Sequence, residues 1–195
     1  MTTTMTAEEH KSRSDRSYKL LLLFAMISMI MMFAGLTSAF VVSKSRADWL
    51  KDFQLPTAFY FSTAVIIGCS VTFHLAKKAI QKDNQKATTS LLLATLALGI
   101  LFVILQFVGF SQIVANGYYF TGAESSITTT FLYIVTVVHL AHLSGGLIAL
   151  LVIIYKQLKH KYNSTQTLGI ELGAMYWHFL DLLWVYLFLF LFFFK

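Results

Sequence analysis

His139, His142 and His178, with the carboxylates Glu171 and Asp181, are the side chains that could do chemistry, because each stands in or beside a long uncharged stretch. An Asp, Lys or Arg at the centre of a membrane helix costs about 2.5–3.5 kcal/mol on insertion scales. Ionisable groups that persist there face a bundle interior, a partner or a ligand. His139 and His142 are three residues apart and share a helical face. A haem or metal between facing helices would take one of them with His178 as ligands; the alternative is hydrogen bonding across helix interfaces or to lipid headgroups. A di-metal centre in a bundle needs Glu from two helices and two Glu-x-x-His motifs, and the sequence holds no such motif.

The stretch from Glu171 to Trp184 is the densest in such groups. At 100° per residue, Glu171, Ala174, His178 and Asp181 fall near one side of a helix, with Trp177 and Trp184 flanking it. His178 and Asp181 are expected to interact directly, either relaying protons or clamping one helix to another. Tyr176 and Trp177 suit interfacial anchoring or packing. Gly169 and Gly173 give the Gly-x-x-x-Gly spacing of a weak dimerisation signal, and Ser144-Gly145-Gly146 is expected to let a neighbouring backbone approach. Gln106 is expected to hydrogen-bond a neighbouring helix, and His74 to reach water or headgroups. Cys69 is alone, so the chain builds neither a disulfide nor a thiolate cluster from its own residues. Met26, Met29, Met31 and Met32 could handle Cu(I), but they wrap around a helix and suit gap-filling better. Glu124 is read as a solvated turn residue.

The elements that position these groups follow from hydropathy. With 57% hydrophobic and 12% charged residues, the 195-residue chain lies far from soluble composition. A bilayer core about 30 Å thick takes roughly 20 apolar residues of helix. Five such spans are read, at about 19–43, 57–77, 88–114, 127–155 and 171–194, after a polar tail over 1–18 that lies disordered or on the cytoplasmic surface. The runs are continuously apolar with no period of two, which predicts helices rather than barrel strands. The first run is too long for a signal core and lacks a cleavage pattern, so it is read as a retained span. Short connections such as Lys77–Ala87 imply antiparallel neighbours in one bundle.

Orientation follows from the basic residues. One side carries Lys11, Arg13, Arg16, Lys19, Lys77, Lys78, Lys82, Lys86, Lys156, Lys159 and Lys161; the other carries Lys44, Arg46, Lys51 and Lys195. These 11 and 4 account for all 15 basic residues. The asymmetry places the N-terminus in the cytoplasm and the C-terminus in the periplasm. The net charge of +6 then reports topology and anionic headgroups, and nucleic acid is not a partner.

Several segments resemble one family. Tyr176-Trp177-His178-Phe179-Leu180-Asp181-Leu182-Leu183-Trp184 is similar to the YWHFVD-x-VW signature of cytochrome oxidase subunit III, from the haem–copper oxidases. Leu168-Gly169-Ile170-Glu171 resembles the acidic segment before it, and His139-Leu140-Ala141-His142 with Gly145-Gly146-Leu147 the H-x-x-H-x-x-x-G helix. Thr95 to Gly99, with Phe102 and Gln106, resembles the T-x-x-L-G-x-x-F-x-x-x-Q stretch; Leu55-Pro56 and Ser70-Val71-Thr72 resemble the second-span pattern. The likeness covers about residues 20–194. Met29 stands where the seven-helix form has a buried Glu, so that carboxylate's role does not carry over. Val138 and Leu140 flank His139 where small or aromatic residues are commoner.

The resemblance implies the five-helix form of that family, in a bacterial inner membrane, packed on catalytic subunit I and further subunits of a terminal oxidase. That complex reduces oxygen to water and pumps protons, taking electrons from cytochrome c or a quinol. This subunit is non-catalytic and binds neither haem nor copper, which belong to partner subunits. It stabilises the catalytic subunit, holds phospholipid and supports proton uptake, with His139, His142 and His178 in structural roles. The five-helix form should also leave its lipid-holding surface, beside spans one to three, exposed or completed by another subunit. Two other classes compete: a haem-b anchor ligated by His139 or His142 with His178, and a proton-coupled transporter using His178 and Asp181. The second usually needs internal repeats and broken helices, and neither is visible.

Overall fold

The computed structural model describes residues 7–50, 54–120, 122 and 125–194. Lys51, Glu124 and Lys195, together with the first six residues of the polar tail, lie outside the described residues. The described residues form five α-helices: α1 (Ala7–Val42), α2 (Thr57–Gln81), α3 (Gln85–Ala115), α4 (Ile127–Leu158) and α5 (Leu168–Phe194). All five are long and apolar enough to cross a membrane. Among the described residues there is no strand, only isolated bridges between Tyr119 and Ser125 and between Asn163 and Gln166. The fold is an all-α, polytopic five-helix bundle.

Helix α1 starts inside the polar segment rather than after it. Its 36 residues span about 54 Å at 1.5 Å per residue, well beyond a bilayer core. The segment from 7 to 18 holds no Gly or Pro and several good helix formers, so the apolar helix extends outward at little cost.

Local chemistry ends the other helices. Asp83 (φ 55°) and His160 (φ 51°) adopt the left-handed conformation just after α2 and α4; an Asp visits that region through local hydrogen bonding. The Asn84 side chain accepts from the backbone N–H of Ala87 at 3.1 Å and caps α3. Ser126 and Thr129 form a reciprocal capping box that opens α4.

α2 and α3 form a hairpin joined by buried polar contacts. Gln106 Nε2 donates to Ser62 Oγ at 2.9 Å, and the Thr72 and Thr95 hydroxyls lie 2.8 Å apart. Gly109 leaves room for the Phe59 ring, which a Cβ would strike. α5 packs against α2 and α4, and α1 lies against α4 and α5. The buried part of α1 is Met26, Phe33, Thr37 and Phe40, whereas no residue from 9 to 25 is buried.

Candidate functional site

Trp184 is the hub of an enclosed aromatic core. It is fully buried, with ring centroids of Phe59, Phe102 and His139 at 5.7, 5.2 and 5.1 Å. Its indole N–H donates to Thr63 Oγ1 at 3.1 Å. Trp177 is buried one face away, against Gly99, where a Cβ would come within 3.1 Å of the indole. His139 is fully enclosed between α3 and α5, and neither ring nitrogen makes a hydrogen bond to the described residues.

The three intramembrane histidines turn toward three different helices. His139 lies against Phe102 of α3 and Trp184 of α5. His142 faces Phe33 of α1, with ring centroids 5.8 Å apart. Its Nδ1 lies 2.8 Å from the Val138 carbonyl; a carbonyl only accepts, so Nδ1 carries the proton. His178 faces α2: its Nδ1 lies 2.6 Å from Ser70 Oγ, and the His74 ring centroid is 6.1 Å away. A shared haem or metal needs its ligands to converge. Among the described residues, no group of three His, Cys, Asp or Glu side chains converges on a metal position.

The direct His178–Asp181 contact expected from the sequence is not formed. Three residues advance a helix by about 300°, so the two side chains leave about 60° apart. The imidazole takes Ser70, while the Asp181 carboxyl turns inward, 4% exposed. Neither carboxyl oxygen makes a hydrogen bond to the described residues. Glu171 sits nearly under His178 on the same side, yet it engages α1: Lys19 Nζ is 2.8 Å from Oε2 and the Thr167 hydroxyl 2.7 Å from Oε1.

The glycines also serve differently from their sequence reading. Gly146 is approached by side chains of α5, Leu180 and Tyr176, rather than by backbone. Gly173 receives Ile153 of α4 and Phe73 of α2, and Gly169 lies under Tyr162. The Gly-x-x-x-Gly spacing is therefore filled from within the chain. Tyr176 bridges the same seam, its hydroxyl donating to the His142 carbonyl at 3.0 Å.

Sequence reasoning missed a groove between α1, α4 and α5. At the lysine-rich end a cavity of about 820 Å³ is lined by Lys11, Asp15, Lys19, Lys156, Lys161 and Glu171 among others. It shares Lys156, Tyr162 and Gly169 with an apolar cavity of about 490 Å³ lined by Tyr18, Leu22, Gly145, Ala149 and Leu172. The Tyr162 phenol, in the connection between α4 and α5, is pushed up by burial. A basic mouth over an apolar trough matches the two halves of an anionic phospholipid. Its trace in the sequence is the pair of small residues Gly145 and Ala149, four apart on α4, with Lys156 two turns beyond.

The family model "Cytochrome c oxidase subunit III" matches residues 2–195. Cytochrome c oxidase subunit 3 of Pelomedusa subrufa is 34% identical over 140 residues, covering 72% of this chain and 50% of the relative. The Drosophila melanogaster protein of that name is 34% identical over 137 residues, 70% of this chain and 49% of its own length. The Damaliscus lunatus protein is 28% identical over 192 residues, 92% of this chain and 70% of the relative. The chain spans about half the length of the first curated relatives it matches.

Proposed function

Because the chain belongs to the cytochrome c oxidase subunit III family, we propose that it is the accessory third subunit of a haem–copper terminal oxidase. Oxygen reduction and proton pumping belong to the assembled complex, whose haems and copper sit in partner subunits. This chain packs against the catalytic subunit I, retains phospholipid and supports proton uptake at the lysine-rich surface. The observation that carries the reading is the family match running from residue 2 to residue 195.

The geometry supports the accessory role in two ways. His139, His142 and His178 lie in three separate seams, which supports packing and hydrogen-bonding roles for them over a shared ligand position. The groove between α1, α4 and α5 supplies lipid retention, with Lys156 and Lys19 at its mouth and the apolar trough below taking an acyl chain. The same reading sets the chain in a bacterial inner membrane, where the charge asymmetry of its connections favours this mouth on the cytoplasmic side.

The test is a pull-down of the chain from membranes in mild detergent, with an optical spectrum, oxygen uptake and mass spectrometry of its partners. Co-purification with a haem- and copper-bearing polypeptide that consumes oxygen is expected. Recovery of the chain alone, with or without a haem spectrum, overturns the reading.

A further inference from the structure

The seam between α2 and α5 is polar from its lysine-rich end to its middle and apolar from there on. Lys77 of α2 lies close enough to Glu171 and His178 of α5 for its charge to act on both. One turn inward, His74 is exposed beside the half-buried His178, and both line a groove of about 400 Å³ together with Ser70. Ser70 Oγ lies 2.6 Å from His178 Nδ1. The same hydroxyl stands beside the Asp181 carboxyl without bonding it in this structure. Asp181 is thirteen residues from either end of α5, Leu168 and Phe194, or about 20 Å at 1.5 Å per residue. Beyond it the seam is closed by Trp184 against Thr63 and Phe59, and by Phe188 against Tyr60. No His, Asp or Glu occurs in 57–69 of α2 or 182–194 of α5.

We propose that Asp181 is a proton-storing carboxyl, loaded and unloaded from the lysine-rich face through His178 and Ser70. The inference deepens the proposed support of proton uptake and rests on that reading for its purpose. An ionisable group in mid-membrane is costly, and chains of acidic and His residues there mark proton relays. A carboxyl clamping two helices would have its oxygens bonded to them; both oxygens of Asp181 are buried without a protein partner among the described residues. Buried with no ion pair, the group takes up a proton rather than hold its charge. That proton has one polar route in. A proton from the groove adds to His178 Nε2, the imidazole releases its Nδ1 proton to Ser70 Oγ, and Ser70 gives its own hydroxyl proton to the carboxylate. Asp181 gains one proton, the groove loses one, and His178 and Ser70 each pass on as many as they accept. Unloading runs the same steps backwards. A hydroxyl suits the middle place because it donates and accepts at once and rotates to face either neighbour. With the seam closed beyond Asp181, the relay ends there and carries no proton across the membrane.

The experiment follows the carbonyl stretch of protonated Asp181 by infrared spectroscopy of the complex in native membranes as water is replaced by D2O. The band is identified by its loss in Asp181→Asn and by its shift when Asp carboxyl groups carry carbon-13. In the unaltered protein it is expected to shift promptly as O–H becomes O–D. Ser70→Ala is expected to slow that shift about 100-fold, the lower end of what a positioned proton-transfer group contributes. Ser70→Thr, which keeps a hydroxyl, is expected to restore most of the rate, a rescue that a merely structural role for Ser70 does not produce. Absence of the band, a band that never exchanges, or equal exchange in Ser70→Ala and the unaltered protein overturns the inference. If the chain brings down haem- and copper-bearing subunits while the band fails any of these tests, this inference falls and the oxidase reading stands. If the chain brings down no such subunit, the oxidase reading falls and takes with it the purpose assigned to the store.

Discussion

The two halves of α1 meet the rest of the bundle in opposite ways. Toward its C-terminal end, Phe40 is buried among Trp49, Phe131 and Phe190, at centroid distances of 4.8, 6.0 and 5.4 Å. Lys44 closes that cluster by lying over the Trp49 and Phe194 rings at 5.8 and 5.2 Å. One turn inward from Phe40, Thr37 reaches Tyr186 at 3.1 Å. Toward the lysine-rich end the same helix stands off, and the Lys19–Glu171 pair spans the mouth of a groove. Within the uncharged part of α1, from Leu20 to Val42, both ends are apolar, so hydrophobicity there does not separate them. Interlocking aromatic surface closes one half, and small residues opposite α1, Gly145 and Ala149, leave the other open. In a membrane, where water does not drive helices together, such shape differences decide whether protein or lipid fills a seam.

The sharpest break in this contrast is Phe40→Ala. Truncating a buried Phe costs about 3–5 kcal/mol in protein cores, and unfolding of the purified chain in a rising SDS fraction should register a loss of that order. A loss no larger than for an exposed residue such as Met31 means the C-terminal half of α1 is not locked. Next comes Gly99→Ala, whose Cβ would press on Trp177 and Leu147 at 3.1 and 3.2 Å. Overpacking typically costs about 1–3 kcal/mol, seen as a lower unfolding midpoint, and an unchanged midpoint shows that the closed core has slack. Lys156→Ala tests the open half. A juxtamembrane basic residue contributes about 1 kcal/mol toward anionic lipid, so native mass spectrometry should show about fivefold weaker retention of anionic phospholipid, with unfolding unaltered. The smallest effect belongs to Glu171→Gln, which breaks a partly exposed ion pair worth about 0–1 kcal/mol. Hydrogen exchange should quicken around Lys19 and nowhere near Phe40; equal quickening at both places dissolves the distinction between the halves.

The five spans were legible because a bilayer imposes one crude rule, a continuous apolar run of sufficient length, and each run shows it. Which side of each helix is buried was far less legible. Leu92 is fully buried on α3 and Leu93 beside it is 47% exposed, yet the letters are identical, since lipid and protein interior select the same residues. Gln106 could be read, because a mid-span amide needs a partner and Ser62 supplies it. The partner of His178 could not, for Ser70 lies 108 positions away on another helix while Asp181 lies three away. Sequence proximity favoured the wrong neighbour. The start of α1 was missed for a related reason: polarity marks where the membrane ends, but helix propensity decides where the helix does.

The turn between α2 and α3 bears on how the two helices are held together. Only residues 82–84 separate the two helices, Asp83 is fixed in a left-handed conformation and the Asn84 side chain caps the start of α3. Three residues reach at most about 11 Å, a third of a bilayer core, so α2 and α3 must meet the same membrane face and lie as antiparallel neighbours, with Lys77, Lys78, Lys82 and Lys86 gathered at their bend. Lengthening that turn would therefore loosen the tie between the two helices before it altered either one.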